Sequence, residues 1–138
     1  MTDQLTIDRV KEGNALPELA IPITASQIVA SALATNDFEN VHHDKAAAQA
    51  TGVPDIFMNI LTTNGLVQRY VGEWAGPGPR VQNVEIRLGA PNFVGDTMTM
   101  TGNVAKVEGN TVEVAVSGRN GIGEHVNARV TLDFGEDL

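Results

Sequence analysis

The second half of the chain alternates apolar and polar positions, which is the pattern of strands that bury one face. The alternation runs through four segments that turn-forming residues separate: 84–88, 98–104, 112–116 and 126–134. Asn120-Gly121, between the last two segments, is typical of a tight hairpin. We therefore predict an antiparallel meander of four strands. Residues 15–23 alternate more loosely and contain two prolines, which favours a strand at the edge of a sheet.

The first half of the chain follows the helical period instead. Thr24 followed by Gln27 fits the capping box of a helix that ends near Thr35-Asn36. A polar segment without a helical period follows, and Asp44 can then cap a short alanine-rich helix over residues 45–50. We therefore predict two short helices separated by a loop.

The longest helical pattern begins at Asp55 and continues to about Trp74. Its apolar stripe is wide, which predicts a deeply buried helix. Gly65 lies inside this pattern, where a glycine costs about 1 kcal/mol relative to alanine, so we infer close packing at that position.

This order of elements predicts an α+β fold in which an antiparallel sheet wraps around one long central helix, because the helix must bury its apolar stripe. The length of 138 residues suits one domain, and we assign residues 1–138 to it, with residues 1–13 as a frayed N-terminal tail. A sheet of this kind has exposed edges. Joining edges between chains would cover them, so we expect an oligomer.

Composition narrows the classes of partner. The formal net charge is −8, which gives no electrostatic footprint for nucleic acid or for an anionic membrane surface. No apolar run reaches the length of a membrane span, and residues 1–13 lack the apolar segment of a secretory signal. The chain has no cysteine, which excludes disulfides and thiol chemistry and is compatible with a cytoplasmic protein. We expect no nucleic acid, no membrane and a cytoplasmic location.

Asp37 and His42 are the candidate catalytic residues, five positions apart in the polar loop. A carboxylate and an imidazole on one loop can hold a water between them, one accepting its proton while the other orients it. By spacing alone, such residues are more often a helix cap and a surface histidine. A metal site built with His43 and Asp44 is a weaker alternative because adjacent histidines point in different directions, and His125 lies in a predicted strand. We expect no metal.

The start of the longest helix is a second candidate for chemistry. The first backbone N–H groups of a helix carry the positive end of its dipole and can stabilise negative charge on a substrate oxygen. Asn59 and Ile60 are the candidate donors. The alternative is that this end is merely capped, by Asp55.

Two segments carry a resemblance to a known family. Residues 37–44, DFENVHHD, resemble the hydratase motif of the MaoC-like dehydratases, an Asp followed by His five later and Asp two after that. Residues 84–97, VEIRLGAPNFVGDT, resemble the family's strand pattern of apolar-Arg, Pro and Gly-Asp-Thr. The family includes the (R)-specific enoyl-CoA hydratases. Residues 55–71 and 74–77 are similar to a subgroup, the small catalytic subunits of actinobacterial steroid side-chain enoyl-CoA hydratases.

The resemblance implies a hot-dog fold and the hydration of an enoyl-CoA thioester, within a steroid side chain. It implies that Asp37 and His42 activate water, with Asp37 preferred as the base, and that His43 faces away. Coenzyme A is then part of the substrate and no separate cofactor is needed. The assembly would be a homodimer or a heteromer with a second MaoC-like subunit. The chain departs from the family pattern at Glu39-Asn40, where Asn-Pro is usual, and at Asn59, where Gly is usual.

The sequence gives weaker indications of which Arg side chains would bind the phosphates of the substrate. Arg87 could position the loop or bind phosphate, or it could be an exposed partner for a carboxylate on a neighbouring strand. Arg69, Arg80 and Arg119 are further, unranked candidates for binding the CoA phosphates.

Two other functions remain open at this level. One is a hot-dog acyl-CoA thioesterase, which usually has its carboxylate on or near the central helix, and Asp55 is the only candidate there. The other is a non-catalytic CoA- or steroid-binding subunit of a heteromeric complex.

Overall fold

The computed structural model describes residues 4–136, which form one five-stranded antiparallel sheet and three α-helices. The strands are β1 (Ala15–Pro22), β2 (Arg80–Leu88), β3 (Thr97–Glu108), β4 (Thr111–Arg119) and β5 (Glu124–Asp133). The helices are α1 (Ala25–Ala34), α2 (Lys45–Ala50) and α3 (Ile60–Ala75), with single 3-10 turns at Ile7–Arg9 and Asn40–His42. The predicted α+β class is confirmed.

The strand order across the sheet is β1-β3-β4-β5-β2. The meander prediction is confirmed for β3, β4 and β5 but wrong for β2, which pairs with β5 at the opposite edge from β1. In that pairing Ile86 lies opposite Ala128, and in the centre of the sheet Val104 lies opposite Val114. Alternation identifies strands but carries no information about which strands are neighbours. The sequence therefore could not show that β2 pairs with β5 rather than with β3.

The helix α3 packs against one face of the sheet and supplies the centre of the core. Its buried face consists of Thr62, Thr63, Leu66, Val67, Tyr70, Val71 and Ala75. Opposite it, alternate residues of the inner strands are fully buried, among them Met98, Met100, Val112, Val114, Val126 and Val130. Burying this apolar surface is the main favourable term in the folding of such a domain.

The caps of the first two helices are confirmed. Thr24 accepts a hydrogen bond from the backbone N–H of Gln27 at 3.1 Å, and Asp44 accepts one from Ala47 at 3.1 Å. The predicted start of α3 at Asp55 is wrong. The helix begins at Ile60, because the side chain of Asn59 caps it by accepting a hydrogen bond from the backbone N–H of Thr62.

Gly65 does not pack closely against anything. It is exposed on α3, and a Cβ placed there would meet no atom within 4 Å, so the inference of close packing is wrong. The frayed-tail expectation also fails for residues 4–13. Val10 is buried in the core, and the backbone N–H of Gly13 donates to Val104 at 2.8 Å. Residues 1–3 lie outside the described part of the chain.

Candidate active site

The position of Asp37 is fixed by the way α1 ends. Asn36 has a φ of 59°, the left-handed conformation that terminates helices. Its backbone N–H donates to Leu33 at 3.0 Å, and the next N–H, that of Asp37, reaches back to Ala32 at 2.9 Å. This pair of bonds is the Schellman motif, so Asp37 leaves the helix in a defined direction. Asn is one of the few side chains that adopt this conformation readily.

His42 is held from the other side of the site. It ends the 3-10 turn Asn40–His42, and its Nδ1 lies 2.6 Å from the carbonyl oxygen of Phe57. The Phe57 ring meets the imidazole edge to face, with 5.1 Å between the ring centroids. Because a carbonyl can only accept, Nδ1 is the donor in this bond, and in the neutral ring Nε2 is left as an acceptor.

These two constraints bring the predicted pair together. His42 Nε2 lies 3.5 Å from Asp37 Oδ2. The side chain of His42 is 10% exposed and that of Asp37 is 24% exposed, so solvent reaches the carboxylate more easily than the ring. Asp37 Oδ1 also accepts a hydrogen bond from the backbone N–H of Glu39 at 3.2 Å.

Asn59 joins the pair to the start of α3. Its Nδ2 donates to Asp37 Oδ2 at 3.0 Å and to Thr35 Oγ1 at 2.9 Å. Its Oδ1 accepts from the backbone N–H of Thr62 at 3.0 Å and from the Thr62 hydroxyl at 2.5 Å. The side chain of Asn59 is buried, so these bonds take up its whole polar group.

The hydrogen bond from Asn59 is also the largest of the effects that lower the pKa of Asp37. The backbone N–H of Glu39 and the charge of His42 lower the pKa further, while partial burial opposes them. Each of the three favours the carboxylate form because it places a donor or a positive charge beside the oxygens. Asp37 is therefore ionised at neutral pH, and it is a weaker base than an ordinary aspartate.

The backbone at the start of α3 remains available to a ligand. Within the described residues, the N–H groups of Ile60 and Leu61 donate to no protein acceptor. The side chain of Asn59 is already used, so any oxyanion site here must rely on backbone donors. Ile60 and Leu61 are both 51% exposed, and Leu33 and Phe38 add further exposed apolar surface next to Asp37.

The structure does not bring Arg87 to this pair. Arg87 lies on β2 opposite Asn127, on the exposed side of the strand, whereas Val84 and Ile86 pack against the core. In the part of the chain that the structure describes, its side chain forms no hydrogen bond or ion pair. A role in positioning the loop has no support, and phosphate binding stays a prediction. His43 is exposed, as expected of a residue that faces away.

The other candidate cations differ in availability. Arg69 pairs with Glu73 and Arg80 pairs with Asp133. Arg119 has no carboxylate partner among residues 4–136. Over the same residues, no group of three or more His, Asp or Glu side chains is arranged to hold a metal ion.

Sequence reasoning missed three contributors to the site: the Thr35 hydroxyl, the Phe57 carbonyl and Thr62. None of the three has a local signal of its own; only Asn59 does, because Asn before an apolar helical run is a preferred N-cap. The sequence correctly placed His125 in a strand but gave it no role. Its side chain is buried, with Nε2 2.8 Å from Thr63 Oγ1 and Nδ1 2.7 Å from the Ala90 carbonyl oxygen. Burial lowers the pKa of His125.

Comparison with known proteins places these features in a family. The sequence profile of the MaoC-like domain matches residues 9–126. The chain belongs to the MaoC-like family. The matched range includes the Asp37–His42 loop, α3 and the strands β1 to β4, so the resemblance drawn from the two motifs is confirmed.

Two relatives are similar to this MaoC-like chain over almost its whole length. The 3-oxo-4,17-pregnadiene-20-carboxyl-CoA hydratase beta subunit of Mycobacterium tuberculosis is 49% identical over 122 residues, covering 88% of this chain and 95% of the relative. A chain in the crystal structure of the ChsH1-ChsH2 complex from the same organism is 48% identical, with a TM-score of 0.88, covering 89% of this chain and 97% of that one.

More distant structures confirm the hot-dog fold. The R-hydratase PhaJ1 from Pseudomonas aeruginosa has a TM-score of 0.87 at 20% identity, covering 97% of this MaoC-like chain and 88% of that chain. At that identity the likeness concerns the fold alone. No helix within residues 4–136 is long and apolar enough to cross a membrane.

Proposed function

We propose that the protein is an enoyl-CoA hydratase, which adds water across the α,β double bond of an acyl-CoA thioester. The observation that carries the proposal is the Asp37–His42 pair, 3.5 Å apart beside the free N–H groups at the start of α3. Hydration needs a positioned water, a proton acceptor and a site for the negative charge that develops on the thioester oxygen. The candidate site offers a group for each.

The pair is suited to hold one water. With Nδ1 of His42 donating to Phe57, the neutral ring presents an acceptor to Asp37 Oδ2, which is also an acceptor. Two acceptors that face each other are satisfied by a water that donates one hydrogen to each. The oxygen of that water then points its lone pairs away from both groups, toward a bound substrate.

The roles in the reaction follow from basicity. The lowered pKa of Asp37 makes its carboxylate a poor proton acceptor, so we assign the base to His42 and reverse the preference drawn from the sequence. As the water oxygen bonds to the β carbon, its proton passes to Nε2 of His42, and Asp37 stabilises the imidazolium. The thioester becomes an enolate that accepts from the N–H groups of Ile60 and Leu61. The proton then returns to the α carbon, and no cofactor takes part.

We also propose the substrate class and the partner. The named activity of the 49% identical relative supports a steroid with a short side chain that carries the CoA thioester. That relative is a beta subunit, and the similar solved structure is a complex of two chains, which supports a heteromer with a second MaoC-like subunit. The exposed edge strand β2, with Val81 and Leu88 partly exposed, offers a place for it. CoA thioesters are made and used inside cells, so we propose a cytoplasmic location.

Asp55 gives the thioesterase alternative no support. Its Oδ1 accepts from the backbone N–H of Ile56 at 2.7 Å, and its Oδ2 lies 3.6 Å from Lys45 Nζ. It also precedes α3 by five residues rather than lying on it. The intact pair of Asp37 and His42 likewise favours catalysis over a purely binding role.

The test is loss of the enoyl ultraviolet absorbance with a steroid enoyl-CoA and with crotonyl-CoA. Each substrate is offered to the chain alone and to the chain co-expressed with a second MaoC-like subunit from the same genome. We expect hydration that Asp37→Asn abolishes, with the steroid substrate preferred. Release of free CoA thiol without a hydroxyacyl product would instead identify a thioesterase, and no reaction in any combination would leave the binding-subunit function. Cell fractionation tests the location.

A further inference from the structure

We infer that Asn59 is a positioning residue for this reaction: its carboxamide, fixed by the helix cap, holds the Asp37 carboxylate beside His42. The inference rests on the proposed hydratase function and deepens it. It differs from the sequence expectation, in which Asn59 was a donor to the substrate.

The helix cap decides which way the carboxamide faces. The backbone N–H of Thr62 must be accepted by an oxygen, so Oδ1 of Asn59 points to α3 and Nδ2 points to Asp37. The reversed amide would set its NH2 against the N–H of Thr62 and its oxygen against a carboxylate. Both contacts would be repulsive. The start of α3 therefore forces an N–H donor toward Asp37.

The same amide ties two elements together. Its second N–H donates to Thr35 Oγ1, and Thr35 in turn lies at the end of α1, where its hydroxyl donates to Ser31 at 2.9 Å. Asp37 follows two residues later in the Schellman turn. Asn59 is thus bonded both to the turn that carries Asp37 and to Asp37 itself. This fixes the distance between the carboxylate and the first N–H groups of α3.

The consequence concerns the distance between Asp37 and His42. A carboxylate free to move would close on a protonated His42 as a direct ion pair, for which an N–O distance of about 2.8 Å is typical. With Oδ2 held by Asn59, the distance to Nε2 is 3.5 Å, which is longer than a direct hydrogen bond of good geometry. The two atoms thus remain separate acceptors, close enough for one water beside the line between them to contact both.

A purely structural role for Asn59, as the cap of α3, makes a different prediction. Serine caps helices about as well as asparagine, so Asn59→Ser preserves the cap while removing both N–H donors. If Asn59 only caps the helix, this variant keeps its activity. If Asn59 positions Asp37, the variant loses activity although it remains folded.

The experiment compares Asn59→Ser with wild type in the assembly that shows hydration. We expect kcat/KM to fall by about tenfold or more, with Tm lowered by no more than about 5 °C. We also expect the acid limb of the kcat/KM profile to move to higher pH, because a carboxylate released by Asn59 can close on the protonated form of His42 and stabilise it. Thr24→Ser, a matched exchange at the cap of α1, should leave activity within about twofold and the pH profile unchanged.

Asn59→Asp is the second variant. It keeps the cap oxygen for Thr62 but sets a like charge beside Asp37, so its loss of rate and its shift of the acid limb should exceed those of Asn59→Ser. Folded variants with wild-type kcat/KM and an unchanged acid limb would overturn the inference. If Asn59→Ser does not fold, the same criterion applies to Asn59→Asp. If wild type itself does not hydrate either substrate, the proposed function fails instead.

Discussion

His42 and Phe57 are joined by a hydrogen bond of 2.6 Å between the ring Nδ1 and the main-chain carbonyl. Because the acceptor is backbone, no side-chain exchange at position 57 removes it, and the ring is held in one tautomer when neutral. The other ring nitrogen is thereby presented to Asp37. Which nitrogen of the neutral ring can accept a proton therefore depends on that one backbone contact.

The first prediction separates the two nitrogens of the ring. Asn at position 42 can place an amide N–H where Nδ1 lies and keep the bond to Phe57, but it has no second basic nitrogen. We expect His42→Asn to remain folded and to lose about 10²-fold or more in kcat, measured by hydration of the preferred enoyl-CoA. The neighbouring exposed residue provides the control, since His43→Asn should retain activity within about twofold. Equal losses in the two variants would mean that the wrong histidine was chosen.

The second prediction concerns the carboxylate. Asp37→Asn keeps the size of the side chain but turns an acceptor of the water's hydrogen into an amide and places an NH2 near that of Asn59. We expect kcat/KM to fall about 10²-fold or more at every pH, since Asp37 is ionised throughout the neutral range. Glu39→Gln, which removes an exposed carboxylate two residues away, is the control. Near wild-type turnover in Asp37→Asn would refute the assignment.

Local signals explain how much of this site the sequence could predict. Asp37 and His42 lie five residues apart in a polar loop, a weak signal by itself, and it is the resemblance to the hydratase motif that identifies them together. The caps at Thr24 and Asp44 follow from short-range rules alone. The contact between Asn59 and Asp37 spans 22 positions. No local pattern encodes a bond of that kind, and the role of Asn59 therefore came only from the fold.

The errors have the same origin. Ile56 and Phe57 fit the helical period of α3, but Phe57 instead forms a bridge with Phe93, and the cap at Asn59 starts the helix later. Periodicity cannot distinguish a helical residue from an apolar residue in an extended segment just before the helix. The position of β2 depends on a pairing with β5 that lies some 45 residues further along the chain, which alternation does not report.

A third prediction concerns packing at two glycines. A Cβ on Gly118 would lie 2.8 Å from Val126 Cγ1 and 2.9 Å from the sulfur atoms of Met98 and Met100, inside the core. We expect Gly118→Ala to lower the free energy of unfolding by about 1–3 kcal/mol because the core must be overpacked. Gly72, on the exposed side of α3, has nothing within 4 Å, so Gly72→Ala should raise stability by up to about 1 kcal/mol. Urea denaturation of both variants measures the contrast.

The last prediction is a pH dependence of stability that His125 contributes. The pKa of His125 is lowered in the folded protein because the ring is buried, so the unfolded chain binds a proton first as the pH falls. The stability that the neutral ring provides is therefore fully present above the ordinary histidine pKa of about 6.5 and declines as the pH drops through the lower, folded value. Other groups titrate over the same range, so wild type alone does not isolate this contribution.

The difference between wild type and His125→Asn does isolate it, because the remaining groups are common to both proteins. At pH 8 the variant can keep an amide N–H on the Ala90 carbonyl but loses the contact of Nε2 with Thr63 Oγ1, so it should be less stable by about 1–3 kcal/mol. Between pH 8 and pH 5 that deficit should shrink. As the pH falls, protonation of His125 stabilises the unfolded state of wild type, whereas the variant has no titrating group at this position. Urea unfolding at several pH values gives the deficit directly. A deficit that stays constant on acidification would show that folding does not lower the pKa of His125, and a deficit that grows would show that folding raises it.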